Sequence, residues 1–147
     1  MTKPTLIFTP GAWHTPEVFG TVISKLEAVG YKCIALSLLA AGHEPPVKSL
    51  QPDIAAIHGA VFKEIQENGN DVMMVPHSWS GTVVSGALDG LSKAERERKG
   101  EKGGVVKLAY ITAFVPPEGV SLLDAYGSPP DWYDVKLSRL HPLLDLN

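Results

Sequence analysis

Apolar residues fall into two patterns that alternate along the chain. Thr5–Thr9 (T-L-I-F-T), Cys33–Leu38 (C-I-A-L-S-L), Val72–Val75 (V-M-M-V) and Val105–Phe114 (V-V-K-L-A-Y-I-T-A-F) are short, nearly continuous runs. Such runs mark strands buried on both faces. Between them the spacing becomes helical. Val18, Phe19, Val22, Ile23 and Leu26 follow Thr15-Pro16, an N-cap with proline in the first turn, and Gly30 suits the stop. Ile54, Ile57, Val61 and Ile65 mark a second amphipathic helix, closed near Asn68-Gly69-Asn70. Val83, Val84, Ala87 and Leu88 share one face of a third helix starting at Ser80. The order β-α-β-α-β-α-β predicts an α/β fold, a parallel sheet of about four strands with helices on both faces. Ala40–Ser49 reads as a loop. Ser92–Gly104 (S-K-A-E-R-E-R-K-G-E-K-G-G) is a charged excursion in which Ser92 and Glu95 suit a capping box. A docking surface is one reading of it. A solvated face ending in a flexible glycine loop is the favoured one.

Composition narrows the class. The 147 residues suit one domain, 44% hydrophobic and 20% charged. The net charge is −3 and the basic residues form no stripe, so no nucleic-acid partner is expected. Cys33 is the only cysteine, which excludes an internal disulfide and fits a reducing compartment; a cytoplasmic location is expected. No His/Asp/Glu spacing suggests a metal site, and no cofactor motif is present. No secretory segment and no membrane span are expected.

The chemistry concentrates at Val72–Leu88 (V-M-M-V-P-H-S-W-S-G-T-V-V-S-G-A-L), where a strand breaks sharply at a serine and a helix follows. That is the context of a nucleophile elbow, with Ser78 at its apex and the Trp79 N–H aimed at the oxyanion of an attacked carbonyl. The motif G-x-S-x-G is weak alone, and here Pro76 and Ser80 stand at its glycine positions. The plain alternative makes Ser78 a helix N-cap. Pro10-Gly11-Ala12-Trp13 ends the first strand, where a second oxyanion donor belongs. Gly11 permits close backbone approach and Ala12 N–H is the candidate donor; a simple Pro-Gly turn is the alternative. If the first and third strands are neighbours with the second outside the first, both segments lie at a topological switch point, where open α/β sheets bind ligands.

These residues resemble the α/β-hydrolase superfamily, most of all the branch with small-ester esterases and hydroxynitrile lyases, and related fungal hydrolases. The resemblance spans about Thr5 to Tyr133. It rests on P-G-A-W-H after the first strand, L-E-A-V-G-Y-K-C-I-A-L leading into the second, and V-P-H-S-W-S-G at the elbow. It implies Ser78 as nucleophile, Ala12 and Trp79 as oxyanion donors, a small-molecule ester as substrate, no cofactor, and the strand order second, first, third, fourth. Two departures stand out: Pro10 replaces the family's usual histidine, and Pro76 a small residue. Lyase members carry threonine where this chain has Gly11, which points toward an esterase.

The family takes its acid and histidine from loops after two further strands, and the chain is expected to be truncated before them. Beyond Ser78 the only histidine is His141, with Asp124, Asp131 and Asp134 between, so the order Ser78…Asp134…His141 exists. His77 is expected to pack at a strand end, His14 to line the pocket mouth or lie exposed, His43 to be solvated and His58 to sit at a core edge. Residues 116–147 read as the start of a cap or a tail unlike the family, with Trp132-Tyr133 and a Leu-rich end. Without a further strand the fourth would be an open apolar edge, which predicts marginal stability or shielding of that edge by the tail or by self-association. A catalytically inactive fragment that binds a ligand or partner chain is the alternative to a serine hydrolase.

Overall fold

The computed structural model describes residues 2–42, 47–127, 133–136 and 139–142. Its centre is a four-stranded parallel sheet in the order β2-β1-β3-β4, with β1 Thr5–Thr9, β2 Cys33–Ala35, β3 Asp71–Pro76 and β4 Gly104–Leu108. Every residue of β1 is buried. Its side chains alternate between two cores, as strand geometry requires. Ile7 packs on one face with Val72, Met74 and Val83; α2 (Gln51–Gln66) and α3 (Ser80–Ala87) cover that face. Leu6 and Phe8 pack on the other with Phe19, Val75, Ile23 and Leu26, under α1 (Gly20–Ala28). The expected strand order and two-faced layering are both present.

Several boundaries differ from the sequence reading. The first helix enters through a 3-10 turn, Pro16–Phe19. Strand β2 is half the expected length, because it pairs only with Leu6–Phe8 of a five-residue neighbour; Leu36 N–H still donates to Phe8 O at 3.0 Å. Strand β4 ends at Leu108 rather than near Phe114, and its register shifts opposite Val72/Met73. Hydrogen bonds continue past its end nonetheless, with Ala109 N–H to Met74 O (2.8 Å) and Ile111 N–H to Pro76 O (2.9 Å). A short α5, Leu122–Tyr126, capped by Ser121, and an antiparallel hairpin, β5 Tyr133–Lys136 with β6 Arg139–Pro142, were not anticipated. The hairpin register sets Asp134 opposite His141, in a sheet separate from the main one. His43, Trp132 and most of the Leu-rich end lie outside the described residues.

The charged excursion forms α4, Lys93–Arg98, and the serine half of its capping box is present: Ser92 Oγ accepts from Glu95 N–H at 3.3 Å, while the Glu95 carboxylate accepts from the Ser92 hydroxyl. Its glycine end, however, is packed rather than flexible. Gly103 and Gly104 are buried, and a Cβ on either would come within 2.6 Å of Asn70 O or 2.5 Å of the Lys93 Cα. Arg96 is the reason. Its buried guanidinium donates to Gly103 O, Lys102 O and Gln66 Oε1 and pairs with Glu101, which pulls the chain in just before β4.

A second clamp lies beside it at the N-terminal ends of the strands. Glu64 of α2, almost fully buried, accepts from Thr5 Oγ1 at 2.7 Å, Lys32 Nζ, Asn68 Nδ2 and Asn70 Nδ2. Burial alone would raise its pKa. The bonds from Lys32, Thr5 and Asn70, with the Lys32 charge, outweigh that and hold it at about 2.

Candidate active site

At the C-terminal ends of β1, β3 and β4 the backbone is strained in three places. Ser78 (φ +54°), Trp13 (φ +63°) and Thr112 (φ +41°) all occupy the left-handed region without being glycine. Such residues are uncommon, cost energy, and gather at functional sites. Here each stands just past a strand end. Ser78 turns the chain from β3 directly into α3, and two bonds from the β4 side hold it there: Ser78 N–H donates to Ile111 O (3.2 Å), and Phe114 N–H to Ser78 O (3.0 Å). An N-cap residue has extended φ/ψ and accepts from the helix with its side chain. Ser78 has neither property, so the N-cap alternative fails and the elbow geometry stands. Among the described residues no side chain hydrogen-bonds to Ser78 Oγ.

The turn after β1 closes onto this elbow. Gly11 is buried, and a Cβ there would lie 2.9 Å from Ser78 Cβ and 3.1 Å from His77 Nδ1, closer than real side chains pack. Glycine is therefore required for the approach, as its position suggested. Ala12 and Trp79 flank Ser78 from the two segments, both half-buried. Among the described residues neither backbone N–H has an internal acceptor. His14 Nδ1 lies 2.8 Å from Ala12 O, and the His14 ring meets that of His77 edge-on at 6.0 Å. His77 is half-buried at the end of β3, as expected there. Burial, then the neighbouring His14, lowers its pKa, and its buried Nδ1 has no partner among the described residues. His58 is exposed rather than at a core edge: it stacks on Phe62, and its Nδ1 contacts Ala87 O at 3.0 Å.

A pocket of about 260 Å³ opens next to the elbow, lined by Phe114, Val115, Pro116, Pro117, Leu122 and Ala125. Its lining side chains are apolar, with polar backbone atoms exposed among them, and Phe114 connects it to Ser78 through the bond already described. No three His, Cys, Asp or Glu side chains cluster as metal ligands among the described residues.

Two residues that shape the site escaped the sequence reading. Ser80, expected only to be small, is fully buried and ties three segments together. Its Oγ accepts from His77 N–H (3.1 Å), contacts Thr9 Oγ1 (3.0 Å), and lies 2.8 Å from Thr9 O and 2.9 Å from His77 O. One hydroxyl has two acceptor sites and a single proton; here it joins the ends of β1 and β3 beneath Ser78. Gly81 is the other. A Cβ on it would lie 2.5 Å from Phe114 O, so only glycine lets α3 begin against the 113–114 segment. Its place right after S-W-S in the motif was the available signal.

The fold and this turn define a class. No family model matches the chain. It is 40% identical over 122 residues to the alpha/beta hydrolase nvfD of Aspergillus novofumigatus, a match covering 83% of this chain and 48% of that protein. It is 30% identical over 129 residues to the probable hydrolase R7 of a Phoma species, covering 86% and 49%. A carbendazim-hydrolyzing esterase of a Nocardioides species is 25% identical over 121 residues, covering 80% and 45%. Two solved structures share the fold: an extracellular α/β-hydrolase from a Paenibacillus species (TM-score 0.60, 16% identity, 83% of this chain and 46% of that one) and tomato methylketone synthase I (TM-score 0.64, 14% identity, 86% and 46%). The chain belongs to the α/β-hydrolase superfamily. It spans about half the length of the curated relatives it matches.

Proposed function

We propose that this chain carries the nucleophile half of a serine esterase acting on a small, largely apolar ester. The observation that carries the reading is the left-handed backbone of Ser78 between strand and helix, with Gly11 packed against its Cβ. Ser78 Oγ attacks the acyl carbonyl and gives up its proton to water or to a base outside the described residues; the carbonyl oxygen gains the negative charge, the alcohol leaves with a proton, and water then hydrolyses the acyl-serine. The Ala12 and Trp79 N–H groups, which have no internal acceptor among the described residues, receive that charge. The pocket beside Phe114, whose side chains are apolar, takes the acyl chain. Relatives named hydrolase and esterase support the reaction class. The test is hydrolysis of p-nitrophenyl esters of increasing acyl length. The reading predicts turnover that disappears in Ser78→Ala and falls once the chain exceeds the pocket. Turnover undiminished in Ser78→Ala refutes it.

A second reading is ligand or partner binding without turnover. It is favoured by the lack, among the described residues, of an imidazole bonded to Ser78 Oγ. The exposed edge of β4 adds a surface for self-association: Val106, Leu108, Tyr110 and Ile111 are between 38 and 46% exposed there. Sedimentation showing a monodisperse monomer across the micromolar range would remove that surface from the account.

A further inference from the structure

The turn that carries Ala12 is held in place by a side chain of its own. Gly11–His14 is closed by His14 N–H donating to Gly11 O at 3.2 Å, with Trp13 in the left-handed region between them. Such a conformation is unfavourable for a tryptophan and persists only where the surroundings impose it. The side chain of the next residue returns to this turn. His14 Nδ1 is 2.8 Å from Ala12 O. A carbonyl oxygen can only accept, so Nδ1 carries a proton in this contact. The ring is steadied on its other side by the edge-on contact with His77, the residue before Ser78. His14 itself is exposed, so burial of its ring does not explain its placement.

We infer that His14 is the positioning residue of the oxyanion turn: its Nδ1–H to Ala12 O fixes the Ala12–Trp13 peptide, its N–H to Gly11 O fixes the adjoining Gly11–Ala12 peptide that carries the Ala12 N–H, and together they point that N–H at the oxyanion beside Ser78. The inference rests on the reading of Ser78 as nucleophile. It makes His14 neither base nor ligand. An oxyanion donor acts only if it is already aimed where charge develops, and a small misplacement costs catalysis rather than substrate binding.

Three substitutions separate this role from others. The amide nitrogen of asparagine falls near the place of Nδ1, and that of glutamine near Nε2. With p-nitrophenyl acetate, His14→Ala and His14→Gln are expected to lower kcat by about 10- to 100-fold with KM changed by less than about two-fold. His14→Asn is expected to restore kcat to within about three-fold of the parent, because it keeps the bond to Ala12 O. Independently of activity, the imidazole ¹⁵N shifts of the unmutated protein should report the Nδ1–H tautomer. Parental kcat in His14→Ala overturns the inference while leaving Ser78 untouched. Loss in His14→Asn equal to that in His14→Ala overturns it too, since a role of Nε2 would then be indicated. An Nε2–H tautomer contradicts it directly. Turnover independent of Ser78 sinks both the nucleophile and the positioning role.

Discussion

The two ends of the sheet treat polar groups in opposite ways. At the N-terminal ends of the strands, charge is buried and saturated. Glu64 collects bonds from Thr5, Lys32, Asn68 and Asn70, and Arg96 spends its guanidinium on Gly103, Lys102, Gln66 and Glu101. The hollow there, about 360 Å³, is bordered by Arg96, Gln66, Asn68 and Glu101, which already bond to partners within the fold. At the C-terminal ends the backbone is strained at Trp13, Ser78 and Thr112, and the Ser78 hydroxyl, the Ala12 and Trp79 N–H groups and His77 Nδ1 have no internal partner among the described residues. A saturated cluster stabilises the fold and offers a ligand nothing. Unspent donors held on strained, tightly packed backbone are what a reacting carbonyl needs.

Changes at each end should therefore break different properties. The largest effect is expected at Ser78: Ser78→Ala should lower ester hydrolysis by about a thousand-fold or more while leaving the melting temperature within a few degrees. Steady-state kinetics beside a thermal melt check both halves of that statement. Next comes Gly81→Ala. Its Cβ would strike the Phe114 carbonyl at 2.5 Å, and backbone cannot rotate away as a side chain can, so about 3 kcal/mol of stability should be lost along with activity. A urea midpoint equal to the parent's would show that the 113–114 segment yields.

Glu64→Gln should cost about 2 kcal/mol near neutral pH and leave the site's chemistry intact. The sign with pH follows from the direction of the shift. The carboxyl's folded pKa, about 2, lies below its ordinary 4.5. Its contribution is thus fully present above about pH 4.5 and is lost as the pH falls from there through about 2. The stability gap between parent and Glu64→Gln should narrow over that window in urea titrations; a gap constant down to pH 3 would mean the carboxylate is not what the cluster holds. Ser80→Ala should be the mildest, at about 1 kcal/mol, because Thr9 and His77 lose one shared hydroxyl. It should also reduce hydrolysis by loosening the elbow from below, which a stability change alone would not do in the cold.

The same contrast explains what the sequence made legible. The layering and the sharp break at Ser78 could be read because they depend on local pattern, and the strand order came with the family resemblance. Continuous apolar runs mark buried strands, and a serine between strand and helix beside a Pro-Gly turn marks the site. Gly11 was readable for its closeness, and Ser92 with Glu95 for their capping. The clamp at Glu64 was not: its partner Thr5 lies 59 residues away, and no periodicity links them. Ser80 was undervalued for the same reason, since Thr9 stands 71 residues before it. Arg96 and Gly103 sat in a run whose charge concealed a buried core of contacts. Strand lengths failed where a neighbour's length, or a register shift, set the limit rather than the residues of the strand itself.

The central claim is that the unspent polar groups around Ser78 form an activated serine with its oxyanion site. It is met most directly by incubating folded protein with a fluorophosphonate and locating the adduct by peptide mass spectrometry. The account predicts one adduct, on Ser78, absent from Ser78→Ala and slowed in Gly11→Ala. Folded protein that takes up no label, or takes it up at another serine, would contradict it.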